Sequence, residues 1–160
     1  MAYAAGPVGQ THIYVRQLGA ARSILLTQGL PGYHRWPQWS PDGSRITFFS
    51  VNPRAGVNTI WSVPSLGGVS KRLVEEKGFL CCPAWSPDGA RIAYGSGRGI
   101  AGPGAVYVLP LAGSGATKIA EHPFAAHSLV WSPDGARIAY AVENPAFVFS
   151  MPPEIGRAHV

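Results

Sequence analysis

The sequence predicts an all-β chain, an incomplete β-propeller of about three four-stranded blades in an open arc. Three observations predict it. A decapeptide occurs three times, starting at Trp39, Trp85 and Trp131, with 46 residues between successive copies. Between the copies run short alternating stretches separated by glycine- and proline-rich turns. No amphipathic helix pattern of useful length interrupts them. A period of about 40–50 residues made of strand-like units is the signature of propeller blades.

The decapeptide explains its own structure. In Trp85-Ser86-Pro87-Asp88-Gly89-Ala90-Arg91-Ile92-Ala93-Tyr94, proline pre-sets φ for the second position of a type I turn, and aspartate suits the third. Gly43, Gly89 and Gly135 supply the left-handed residue that follows. A strand ends at Trp39, Trp85 and Trp131, and another begins at Arg45, Arg91 and Arg137. Asp42, Asp88 and Asp134 are read as turn residues rather than paired catalytic acids, because equivalent positions in successive repeats are held apart. The three arginines are expected to stack on a neighbouring aromatic or to pair with the turn aspartate.

Taken in order, the chain enters inside the second strand of a blade: Met1-Ala2-Tyr3-Ala4 aligns with Ile92-Ala93-Tyr94-Gly95. The expectation is therefore that Met1 is an internal or miscalled start. Residues 12–18, 59–64 and 105–110 alternate as third strands, each with an aromatic at a fixed place. Small-residue turns lead to outer strands at 23–27, 71–74 and 117–120. The chain returns inward through 34–39, 81–85 and 127–131. The blades are expected at 1–27 (part), 34–74, 80–120 and 127–151 (part), within a propeller segment over 1–153. Residues 146–151 are expected to open a third strand of the last blade. Residues 154–160 match nothing in the repeats and match the in-frame translation of a widely used sequencing-library adapter, so a non-native tail is expected there.

Trp-Ser-Pro-Asp-Gly-x-Arg-Ile-Ala-Tyr, followed by Ile-Tyr-Val, Leu-Gly-Gly and Leu-Thr, resembles the TolB-type (WD-like) β-propeller repeat of bacteria. The resemblance covers nearly everything from Met1 to about Phe149. It implies one of several hosts: TolB itself, extracytoplasmic sensor regions of serine/threonine kinases (the nearest in wording), or propellers of prolyl-oligopeptidase-like peptidases. The settings it implies are periplasmic or membrane-anchored and extracytoplasmic. The functions it implies are a non-catalytic interaction or sensor module, the substrate-gating propeller of a serine peptidase, or a structural propeller of a cell-envelope complex.

Composition bounds these readings. Apolar residues make up 46% of 160, enough for a core. The net charge is +5, spread along the chain rather than gathered in a stripe with interleaved aromatics, which argues against nucleic acid. No run is long enough to span a membrane. Cys81 and Cys82 are adjacent, and adjacent cysteines rarely pair. They are expected to be small strand residues, one facing inward, with no second cluster for zinc.

Catalytic signals are weak. Gly97-Arg98-Gly99-Ile100-Ala101-Gly102 matches a dinucleotide fingerprint in letters but is followed by Pro103 and another strand, not by a helix. It reads as a loop, with no cofactor implied. There is no Gly-x-Ser-x-Gly, and Gly113-Ser114-Gly115 lacks its spacing. No enzyme activity is expected of this chain, and no metal site. The remaining candidates are His34, Arg35, Arg54, Arg98, His122 and His127, on loops expected at one face around a central channel. They would make a polar, weakly basic mouth for an anionic ligand or acidic peptide, with a protein or peptide as partner. Open strand edges are also expected to self-associate.

Overall fold

The computed structural model describes residues 1–99, 102–113 and 115–142, together with the backbone of 154–159. Every regular element among them is a β-strand, and the chain is an incomplete propeller of about three blades. The first sheet is β1 (Ala2–Ala5), β2 (His12–Val15) and β3 (Ile24–Leu25). The second is β4 (Tyr33–Trp39), β5 (Arg45–Asn52), β6 (Val57–Pro64) and β7 (Lys71–Glu76). The third is β8 (Phe79–Trp85), β9 (Arg91–Gly97), β10 (Gly104–Pro110) and β11 (Thr117–His122). The fourth is β12 (Ala126–Trp131), β13 (Arg137–Val142) and β14 (Glu154–His159). Within each sheet, sequential strands pair antiparallel. The strand expected at 146–151 lies outside the described residues. The place beside β13 is taken by the backbone of β14. Such pairing uses main-chain groups that any extended segment can offer.

The chain divides into two compact units, Met1–Lys77 and Gly78–Val160. The first closes over Ile13, Val15, Leu26, Ile46, Phe48 and Val63. The second closes over Ala93, Val106, Val108, Ala126, Leu129, Trp131, Ile138 and Tyr140. These residues alternate along their strands, which sends them to one face of each sheet. The fixed aromatics are cross-strand partners: Tyr3 opposes Tyr14, Phe48 opposes Trp61, and Tyr94 opposes Tyr107. The two tyrosine pairs stack at 5.7 and 5.5 Å, a contact that adds to their burial. Sheets within a unit approach closely. A Cβ at Gly95 would strike the carbonyl oxygen of Ala126 on the next sheet.

The repeated turn is built the same way three times. Gly43, Gly89 and Gly135 have φ of 71, 69 and 68°. Their amides donate to Ser40, Ser86 and Ser132 at 2.9 Å, closing the turn. Each of those serine hydroxyls donates to the turn aspartate and accepts from the arginine amide at 2.9 Å. The hydroxyls of Ser40 and Ser44 hold the Asp42 carboxyl down at about 2. Asp88 and Asp134 are lowered foremost by Ser86 and Ser132. All three are fixed as hydrogen-bonded anions, unsuited to passing a proton near neutrality.

One expectation is corrected. Cys81 and Cys82 are joined in a disulfide. Strand alternation sends adjacent side chains to opposite faces, which is why pairing was not expected. Here the strand is bulged, and Cys82 has φ of 60°.

Candidate functional site

The first strand of each of the three motif-bearing repeats departs from regular pairing at the same place. Register shifts fall between Arg35 and Gln38, between Cys81 and Ala84, and between His127 and Val130. At each, one residue is left-handed: Trp36 at φ 53°, Cys82 at 60° and Ser128 at 54°. These positions are 46 residues apart, and among the described residues they are the non-glycine residues with positive φ. A left-handed conformation costs a side-chain-bearing residue about 1–2 kcal/mol, and such strain concentrates at functional sites. A bulge also re-aims the side chains it carries.

In the Met1–Lys77 unit the bulge displays Arg35 and Trp36, both exposed. The Arg35 guanidinium lies 5.0 Å from the Tyr33 ring centroid. Trp36 stacks on Phe49 at 5.4 Å and stays 48% accessible. An accessible cation beside an accessible indole suits a carboxylate next to an apolar or aromatic group. In the Gly78–Val160 unit, β8 and β12 pack against each other. The Cys81–Cys82 disulfide sits on one, and His127 with Ser128 on the other, with the His127 ring bonded to the Ser128 hydroxyl at 3.0 Å.

The six candidates from the sequence are placed as follows. Arg35 and His127 hold equivalent bulge positions. Arg54 is exposed in the turn between β5 and β6, and Arg98 is exposed just after β9. His122 turns to the Tyr140 hydroxyl at 2.8 Å, in the adjoining sheet. His34 is fully buried. Its Nδ1 pairs with the Ser50 hydroxyl at 3.1 Å, its Nε2 has no partner among the described residues, and its ring lies 5.8 Å from that of His12. Burial, with the nearby His12, pushes its pKa down to about 4. His34 is thus a buried side chain, neutral at pH 7. Trp36, Cys81, Cys82 and Ser128 were missed because their letters differ between repeats. Their spacing, three or four residues before each motif tryptophan, was the available signal. Among the described residues no cluster of His, Cys, Asp or Glu could hold a metal, and no helix is long and apolar enough to cross a membrane.

The TolB beta propeller domain model matches residues 1–153. The chain belongs to the TolB β-propeller family. Among solved structures, TolB from Acinetobacter baumannii is 16% identical with a TM-score of 0.74, covering 98% of this chain and 38% of that one. A protein from Agrobacterium tumefaciens described as a TolB is 26% identical with a TM-score of 0.73, covering 92% and 52%. A puromycin-hydrolyzing peptidase from Mycobacterium tuberculosis is 14% identical with a TM-score of 0.70, covering 98% and 26%. This chain therefore spans about half or less of the length of these relatives. No curated protein matches it.

Proposed function

We propose that this TolB-type propeller segment is a non-catalytic binding module, and that its ligand is an extended acidic peptide received on the bulged strand that carries Arg35 and Trp36. The observation that carries the reading is the recurrence of a left-handed, side-chain-bearing residue at Trp36, Cys82 and Ser128. A backbone distortion kept in three repeats while its side chains change supports reading it as a display device, since such strain gathers at functional sites. Arg35 and Trp36 supply charge-assisted hydrogen bonds and an aromatic surface, and the net charge of +5 favours an acidic partner. The peptidase-gating reading rests on likeness of fold, which many unrelated functions share.

Fluorescence anisotropy with labelled acidic and neutral peptide pools tests it. Acidic peptides are expected to bind with an affinity that weakens as salt rises, and Arg35→Glu is expected to abolish that binding with the circular dichroism unchanged. Equal binding of both pools, or an Arg35→Glu variant that binds like the parent, overturns the proposal.

A further inference from the structure

The Cys81–Cys82 bond sits on a bulge that does not depend on it. Trp36 and Ser128 hold the same left-handed φ at the equivalent places, at 53 and 54° against 60° for Cys82. The blade backbone therefore keeps the two cysteines side by side whether or not their sulfurs are bonded. A link between neighbours also closes almost no loop, so the fold gains little from it. The bond can open and close with the strand in place.

The two sulfurs differ in their surroundings. Cys81 is 1% exposed, and its Sγ lies 3.7 Å from the Ala126 carbonyl oxygen on β12. Gly95 lacks the Cβ that would strike this oxygen, which lets β12 come so close. A disulfide sulfur has no proton to give that oxygen, whereas a thiol is a weak donor to it. Reduction therefore gives the Cys81 sulfur a hydrogen bond that the oxidised form lacks. Cys82 is only partly buried, so its sulfur is the one within reach of an external thiolate.

We propose that Cys81–Cys82 is a thiol-exchange site, with a small thiol as co-substrate and Cys82 as the point of attack. A thiolate bonds to the Cys82 sulfur and the Cys81–Cys82 bond breaks. The Cys81 sulfur leaves with the electron pair, takes a proton and donates it to the Ala126 carbonyl. A second thiol attacks the outer sulfur of the mixed disulfide and releases the Cys82 thiol. In sum the pair takes two electrons and two protons, and two small thiols become one disulfide. A small disulfide runs the exchange backwards. The inference is independent of the surface at Arg35 and Trp36.

Alkylation counted by mass spectrometry tests it on the full chain, which has no cysteine besides these two. Dithiothreitol without denaturant is expected to yield two alkylated thiols with the circular dichroism unchanged. Oxidised glutathione is then expected to close the pair again. With oxidised glutathione, Cys81→Ser is expected to hold a glutathione adduct on Cys82. Cys82→Ser is expected to form one on Cys81 at least about tenfold more slowly, because exchange follows access to the sulfur. Thiols that appear only in denaturant overturn the proposal. So do equal adduct rates in the two variants, and so does an air-exposed parent chain with both thiols free.

Discussion

The Trp-Ser-Pro-Asp-Gly turn and the first-strand bulge both recur every 46 residues, and both need one left-handed residue. The turn fills that position with Gly43, Gly89 and Gly135; the bulge fills it with Trp36, Cys82 and Ser128. Around the turn the letters hardly change, and each serine, aspartate and arginine is used in the same local bonds. At the bulge the backbone is kept and the letters are not. Where only geometry matters, the residue with the least strain recurs. Where strain is accepted three times, the proposed reading gives the side chain a use.

The comparison can be broken by stability measurements, beginning with the largest effect. His34 lies in the same first strand as Trp36 but faces inward. Its pKa is lowered from 6.5 to about 4 by burial and by His12. The unfolded chain therefore binds the proton first. Stability is full above about pH 6.5 and falls as the pH drops toward 4, by on the order of 3 kcal/mol. Urea midpoints between pH 4 and 7 check this, and His34→Gln is expected to flatten the profile. Midpoints that are flat in the parent would remove His34 from the packed interior.

The turn comes next. Ser86 is fully buried and makes three bonds, to Asp88, the Arg91 amide and the Arg91 carbonyl. Ser86→Ala is expected to cost about 2 kcal/mol by leaving those groups short of partners. Gly135→Ser is expected to cost about 1–2 kcal/mol at its φ of 68°. The reverse exchange at the bulge, Ser128→Gly, relieves similar strain but loosens the unfolded chain by roughly 0.5–1 kcal/mol, so the net change is expected within about 1 kcal/mol of zero. Thermal melts of the pair sharpen the contrast. Equal losses at both positions would erase it.

The disulfide brings the smallest effect. Trp36 and Ser128 hold the same left-handed φ with no such bond, so the bulge at Cys82 belongs to the blade. A link between adjacent residues also closes almost no loop, so it restrains the unfolded chain little. Cys81→Ser with Cys82→Ser is expected to shift the thermal midpoint by less than about 2 °C, and a large drop would show that the bond shapes the strand.

These regions also differ in how far the sequence reveals them. The turn, and with it the repeat, the strand order and the family, is written in repeated letters, because its chemistry needs Ser40, Asp42 and Gly43 by type. For Arg91 the sequence suggested stacking on a neighbouring aromatic or pairing with the turn aspartate, but that its guanidinium lies over the Trp131 ring, 40 residues on, needed coordinates. The bulge was hidden because a left-handed φ at a non-glycine residue is imposed by neighbouring strands rather than by local preference. The disulfide was hidden for the same reason, since alternation holds only where the strand is regular. His34 was placed on a loop because its strand begins at Tyr33, one residue earlier than the inward run of the sequence had suggested.

The most direct test of the central claim is Trp36→Gly, read for stability and acidic-peptide affinity in one preparation. The substitution gives up an exposed stacking contact of about 0.5–1.5 kcal/mol and relieves a left-handed side chain of similar magnitude. A thermal midpoint within a few degrees of the parent, with peptide affinity at least about tenfold weaker, is the predicted result. A lowered midpoint with unchanged affinity would contradict it and make the bulge a packing feature.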